Sequence, residues 1–346
     1  MRIPTSGLSL MIRLALVGVS GTQAYQLAEA VRRIRELEIT AIVHDHELCN
    51  AGMLQGFEDG VIATTLEDLL ANHTDALDAA MVCSPLSRRV SDACQLAMAG
   101  KHVLVRTPIA NSVDEVGRLL NACHSAGVKL MVGNSWRFRP SMVAIQRALE
   151  SGKLGRPVFL RIHAWTPQTT ALSDGPLTQF TISQTTRDLV DLLDMTQGWF
   201  EELPTEVFAI GVPGIADSNE RYVDLQTHLS FPSDGMALVS LAHSLPLGAG
   251  YHGITLIGSS GAAYADDHNQ SQLLYRGGHP SATIAREEQQ AFVGMFRAFV
   301  ESIKQDQLPR STAVDARDAI ILADAVLQSA AHRCPVRRRG DTYEPR

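Results

Sequence analysis

Over roughly the first 130 residues, short apolar runs alternate with segments whose apolar residues recur every three or four positions. That is the pattern of strands alternating with helices in a parallel sheet. Residues 12–17 (IRLALV), 39–43 (ITAIV), 79–83 (AAMVC), 102–105 (HVLV) and 128–132 (VKLMV) read as strands. Leu27, Val31 and Ile34 fall at helical spacing between the first two, and a helix is expected over about 91–98. Thr64 with Glu67, and Ser112 with Glu115, are capping-box pairs that open two more helices.

From about residue 136 the pattern changes. A helix over 141–151 precedes strands at 158–163, 207–212, 222–231 and 236–245. Within 222–231, Val223, Leu225, Leu229 and Phe231 fall on one face and Asp224, Gln226, His228 and Ser230 on the other. A period of two marks a sheet buried on one side only. Phe292, Phe296, Phe299 and Ile303 make a late helical stripe, and 316–331 another; such stripes belong to a core. The expected class is α/β: a Rossmann-type parallel sheet over 11–135, then an α/β domain with an open, mostly antiparallel sheet over 136–338. Residues 1–10 read as a disordered extension upstream of Met11, and 339–346 as a tail.

Composition narrows the function classes. The chain has 346 residues and is 45% apolar, enough for cores in two domains. A net charge of -7 argues against nucleic-acid binding, which needs clustered Lys and Arg against phosphates. The one basic run, Arg337 to Arg339, reads as a solvated tail. Five cysteines, none in a CxxC pair, support neither a disulfide framework nor a zinc site and fit a reducing cytoplasm. Arg13 interrupts the apolar N-terminal run, so it does not read as a signal peptide, and no run reaches the roughly 18 apolar residues of a membrane span. His163 and His228, both in strand patterns, read as satisfied sheet histidines, and Lys101 and His102 as structural.

Candidate chemistry gathers at strand ends. Gly18, Ser20 and Gly21, with Thr22 beside them, lie between the first strand and helix, where a dinucleotide fold places Gly-x-Gly-x-x-Gly. Only Gly18 matches in register; Ser20 could offer its hydroxyl to a phosphate at the helix N-terminus. After the second strand stand His44 and Asp45. Asp45 would accept a ribose 2'-hydroxyl, whereas His44 would leave room for a 2'-phosphate, so NAD and NADP both stay open.

The stretches CSPLSRR from Cys83, GKHVLVRTPIA from Gly100, VGNSWRFRP from Val132, DLVDLLDMTQG from Asp188 and LIGSSGAA from Leu256 together resemble the Gfo/Idh/MocA oxidoreductases over about residues 11–338. The resemblance implies a nicotinamide cofactor, with Ser84, Pro85, Arg106 and Arg137 near it. It also implies a small hydroxylated ligand in the cleft between domains and a homo-oligomer formed through the C-terminal sheet. In that family the third strand-end motif reads Glu-Lys-Pro; here Arg106, Thr107 and Pro108 stand there, with the Thr107–Pro108 bond expected to be cis. The family's Asp-x-Gly-x-His-x-x-Asp falls on Gln184, Thr186, Asp188 and Asp191, and Arg89 stands where a further histidine is usual.

Oxidising an alcohol requires a group that takes the hydroxyl proton, and Thr107 cannot do so at neutral pH, although it can hydrogen-bond a hydroxyl. Asp188 and Asp191 are three apart, on one helical face, and a close carboxylate pair raises the pKa of one member. They are the candidate substitute acid and base, beside Thr107, with Arg89 and Arg106 as balancing charges or anion ligands. Two readings remain: an NAD(P)-dependent oxidoreductase of a sugar, polyol or related compound, or a non-catalytic binding protein on the same scaffold. No HExxH, Walker loop, GxSxG or histidine ligand spacing points to metal or hydrolytic chemistry.

Overall fold

The computed structural model describes residues 11–19, 21–43, 61–167, 184–214, 221–246, 249–267, 271–275, 281–284 and 288–346. The N-terminal part runs β1 (Ile12–Val17), α1 (Gly21–Val31), β2 (Leu37–Val43), β3 (Ile62–Thr64), α2 (Leu66–Asn72), β4 (Ala79–Val82), α3 (Leu86–Met98), β5 (His102–Arg106), α4 (Val113–Ala126) and β6 (Leu130–Gly133). These six strands form one parallel sheet in the order β3-β2-β1-β4-β5-β6. The order reverses between β1 and β4, so the crevice at their C-terminal ends is the natural ligand position. Strand residues such as Leu14, Leu16, Val82 and Leu104 are fully buried because helices cover both faces.

The C-terminal part runs α5 (Pro140–Glu150), β7 (Pro157–Trp165), α6 (Gln184–Phe200), β8 (Glu206–Pro213), β9 (Tyr222–Ser230), β10 (Met236–Ala242), β11 (Tyr251–Gly258), β12 (Ala262–Asp266), β13 (Ser271–Tyr275), β14 (Ser281–Ile284), α7 (Glu288–Lys304), α8 (Ala313–His332), β15 (Val336–Arg339) and β16 (Thr342–Pro345). Its sheet has ten strands in the order β14-β13-β12-β11-β7-β10-β9-β8-β15-β16. All its pairings are antiparallel except β10 with β7. Leu225 and Leu229 of β9 point into the core with Leu160 and Ile162 of β7, beneath α6 and α8, while Gln226 and His228 are exposed.

Several details differ from the sequence pattern. The cap of α2 is Thr65, whose hydroxyl accepts from the Asp68 N–H, one residue later than the Thr64 box. Helix α3 starts directly after Pro85, because a proline fits just before the first turn and the apolar stripe extends back to Leu86 and Val90. The late stripe of Phe296 and Phe299 packs with Leu14, Leu16 and Leu27 in the core of the first domain, so α7 returns to the Rossmann sheet despite its place in the chain. Residues read as a tail form β16, which pairs with β15 and closes the sheet edge; Tyr343 is buried and its hydroxyl donates to the Pro204 carbonyl, 2.6 Å away. Arg337 to Arg339 are exposed on that hairpin. Residues 1–10 lie outside the described residues. No helix among them is long and apolar enough to cross a membrane.

Candidate active site

The domains meet where β5 ends, where α6 begins, and where β7, β10 and β11 end or start. Thr107 follows β5, is 4% exposed, and its bond to Pro108 is cis. Arg89, on α3, fixes the backbone on both sides of it: its guanidinium donates to the Ser84 carbonyl at 3.0 Å, to the Arg106 carbonyl at 3.4 Å, and to the Pro108 carbonyl. Burial pulls this guanidinium down to about 10, still a cation at neutral pH. Arg89 therefore spends its donors on backbone and is a strut of the site, not the anion ligand considered from sequence. Arg106 forms no ion pair among the described residues; its charge is felt by Asp191 and Arg89.

Helix α6 projects Asp188, Asp191 and Asp194 from one stripe, three residues apart. Their environments separate them chemically. Asp194 is 1% exposed and neutralised by Arg137 in a two-pronged pair of 2.6 and 2.7 Å, with Asn134 Nδ2 donating to it at 2.7 Å. Asp191 accepts from the Thr107 hydroxyl, and its Oδ1 is buried without a hydrogen-bond partner. Burial pushes this carboxyl up to about 7; the Thr107 hydrogen bond and Arg106 pull it down, while Asp188 and Asp194 push it further up. Asp188 is partly accessible, and its Oδ2 lies 3.4 Å from Nε2 of His243, a residue 2% exposed.

The structure thus brings Thr107, Asp188 and Asp191 together, as their motifs imply. Arg137 goes elsewhere. It is locked to Asp194 and lines a cavity of about 460 Å³ with Met142, Arg147, Trp199 and Arg310, to which Thr107, Asp188 and Asp191 do not contribute.

At the strand-order switch, Gly18 has φ +66, and a Cβ there would lie 2.4 Å from the Ser84 Cα. Only glycine allows so close a meeting of the β1–α1 and β4–α3 turns. The crevice floor is therefore bare backbone at the N-terminal end of α1, opened by Gly21 and Thr22, which fits a dinucleotide pyrophosphate. The Ser84 hydroxyl is turned away, donating to Asp92 at 2.5 Å, so Ser84 can serve only through its backbone. Pro85 is exposed at the α3 cap. Ser20, His44 and Asp45 lie outside the described residues.

Three residues near the carboxylates went unnoticed in the sequence: Thr166 after β7, His243 after β10 and His252 in β11. No local spacing links them; strand pairing alone assembles them. Of the histidines that were read, His163 has a buried Nδ1 without a hydrogen-bond partner and packs edge-on against Trp165, so it is held by ring contacts and not by the hydrogen bonds expected. Lys101 and His102 are structural: Lys101 donates to the Leu77 carbonyl at 3.0 Å, and His102 Nδ1 accepts from the Lys129 N–H at 3.0 Å. No group of metal-ligating side chains occurs among the described residues.

A doubly wound domain with a glycine-floored crevice, joined to an open sheet and facing a buried acidic cluster, defines a nicotinamide-dinucleotide oxidoreductase scaffold. Residues 12–134 match the model of the oxidoreductase family with NAD-binding Rossmann fold, and residues 146–337 that of its C-terminal alpha/beta domain. The chain belongs to the Gfo/Idh/MocA family. It is 26% identical to the uncharacterized oxidoreductase YrbE of Bacillus subtilis, over 80% of this chain and 82% of that one. It is 24% identical to the myo-inositol 2-dehydrogenase of Thermotoga maritima, over 73% of this chain and 77% of that one. Among solved structures, an oxidoreductase from Agrobacterium radiobacter in complex with NAD+, L-tartaric acid and magnesium superposes with a TM-score of 0.80 at 17% identity, covering 94% of this chain and 98% of that one.

Proposed function

We propose that this protein is an NAD(P)-dependent oxidoreductase of a sugar, polyol or related hydroxylated small molecule, with Asp191 exchanging the hydroxyl proton. The observation that carries the reading is the Asp191 carboxyl: buried, held by Thr107 on one side, with Oδ1 unpartnered and its pKa pushed up to about 7. A group poised near neutral pH both accepts and returns a proton efficiently. A nicotinamide bound in the crevice supplies the hydride acceptor or donor. The Asp191 carboxylate would accept the proton of the reacting hydroxyl as the C–H bond breaks and the carbonyl forms, and return it in reduction. Thr107 orients Asp191 from the position of the family's lysine.

The test is initial-rate measurement with NAD+ and NADP+ on a panel of polyols and sugars. Asp191→Asn should lower kcat by about 10² to 10⁴ while dinucleotide binding by calorimetry is retained. An unchanged kcat would remove Asp191 from the reaction, and dinucleotide binding without turnover by the unmodified protein would favour the non-catalytic reading.

Support for a homo-oligomer comes from the sheet face turned away from the helices. Ile210 and Val212 of β8, and Met236 two strands away on β10, are 61%, 53% and 53% exposed there, apolar side chains that an association would cover.

A further inference from the structure

Helices α5 and α6 wall the cavity that Arg137 lines, about 460 Å³ in volume. Small-molecule sites span roughly 300–1,000 Å³. Met142, Val143, Gln146, Arg147 and Glu150 fall on one face of α5, and Met195, Gly198 and Trp199 form the facing stripe of α6. The turn Ser135–Phe138 and Arg310, just ahead of α8, complete the lining. The floor is apolar: Phe138, Met142, Met195 and Trp199 are all buried. Two of these four are methionines, whose flexible thioethers adapt to the shape of a guest.

Three guanidinium groups reach this cavity, and their partners differ. Arg137 gives Nε and Nη2 to Asp194 at 2.6 and 2.7 Å, while its Nη1 makes one long contact, 3.4 Å from the Arg310 carbonyl. An arginine Nη carries two hydrogens, so a donor there is unspent among the described residues. The guanidinium lies across α6 at Gly198, where a Cβ would come within 3.2 Å of Nη2. Glycine weakens a helix, and here its bareness admits the guanidinium. Arg147 is exposed, and its side chain has no partner among the described residues. Arg310 faces Glu301 at 3.9 Å with both side chains largely in solvent, where an ion pair is weak. Glu150 is the one carboxylate in the lining, and it accepts from Gln146 Nε2 at 3.0 Å. With Arg137 and Asp194 cancelling, two guanidinium groups stand against one carboxylate above an apolar floor.

We propose that this cavity is an accessory binding site for a small organic anion, a carboxylate on an apolar ring. The ring lies against Trp199, Met142 and Met195, and the carboxylate among Arg147, Arg310 and Nη1 of Arg137. Guanidinium forks match the geometry of a carboxylate and hold it by paired hydrogen bonds. An inorganic anion leaves the apolar floor uncovered, and a neutral ring gains nothing from the guanidinium charges. Thr107, Asp188 and Asp191 do not line the cavity, so its occupant does not compete with the reacting hydroxyl. The site stands whether or not Asp191 exchanges a proton.

The experiment is calorimetric titration of the full chain with naphthoate, its neutral amide and inorganic phosphate, with and without saturating NAD+. Naphthoate should bind at a single site with a Kd on the order of 1 mM or tighter, as its size allows. The amide and phosphate should each bind at least about tenfold more weakly. Arg147→Gln and Arg310→Gln should each weaken naphthoate about tenfold, the loss of one charge-assisted hydrogen bond. Both side chains are exposed, so these variants should keep the fold and the dinucleotide affinity. Val143→Trp should fill the cavity and abolish naphthoate binding with an unchanged circular dichroism spectrum. Displacement of naphthoate by NAD+ would place it in the crevice, and unchanged affinity in both arginine variants would place it elsewhere on the molecule. Equal binding of the amide would remove the charge from the ligand class, and equal binding of phosphate would remove the ring. Each of these results would overturn the site, as would the absence of naphthoate binding.

Discussion

Asp191 shows how one side chain acquires a role through its surroundings. Thr107 cannot exchange a proton at neutral pH, but it donates to a carboxyl that burial has brought to about 7. Oxidation should therefore rise with pH through about 7, as Asp191 ionises, and reduction should fall over the same range; pH profiles of kcat in both directions check the sign. Thr107→Val removes a hydrogen bond that favours the ionised form, so the oxidation profile should move to higher pH, with kcat at high pH largely kept. A shift to lower pH would contradict the assigned bond. The Asp pair was legible in the sequence because α6 spaces it three residues apart. Which member is perturbed was not, since that depends on Thr107, Arg106 and Asp194 arriving from elsewhere.

At the scale of elements, the staple from α3 across the β5 end and the return of α7 make the strongest predictions. Arg89 satisfies three backbone carbonyls, so Arg89→Met leaves buried acceptors unpaired at about 1–3 kcal/mol each. Thermal unfolding should show a large loss of Tm, together with a fall in kcat because Thr107 loses its anchor. Phe296 is fully buried against β1 and α1, and Phe296→Ala should cost about 3–5 kcal/mol in denaturant unfolding and weaken dinucleotide binding, although residue 296 lies in the C-terminal half of the chain. Intact dinucleotide affinity in a folded variant would mean that α7 does not support the crevice. The helical stripe of α7 was plain in the sequence. Its partner was not, because periodicity shows that a face is buried and is silent about the surface that buries it.

For the whole molecule, two sets of titrating groups pull stability in opposite directions with pH. His102, His163 and His252 are all held below the usual 6.5 by burial, so they favour folding above that value and lose this contribution as pH falls. Asp191 is raised from 3.8 to about 7, so the folded state holds its proton longer and loses stability as pH rises across that window. Asp191→Asn removes the second effect. Its Tm should climb more steeply between pH 5 and 7.5 than that of the unmodified protein, and exceed it above pH 7. On the open sheet face, replacing Ile210 and Met236 by Asp should dissociate the proposed homo-oligomer in sedimentation measurements without unfolding the chain, since neither side chain enters the core.

The sequence by itself determined the class of fold, most strands to within a few residues, the glycine at the crevice and the three-residue spacing of the acidic pair on one helix. Each of these is written in local periodicity or in short motifs, where neighbours in the chain are neighbours in space. Tertiary structure alone decided that Arg137 is consumed by Asp194, that α7 completes the first domain, that residues 342–345 are a strand, and that Thr166 and His252 meet. The last two are 86 residues apart. Such contacts follow from strand order and packing, which place side chains together by register across a sheet, and no spacing along one chain records that register.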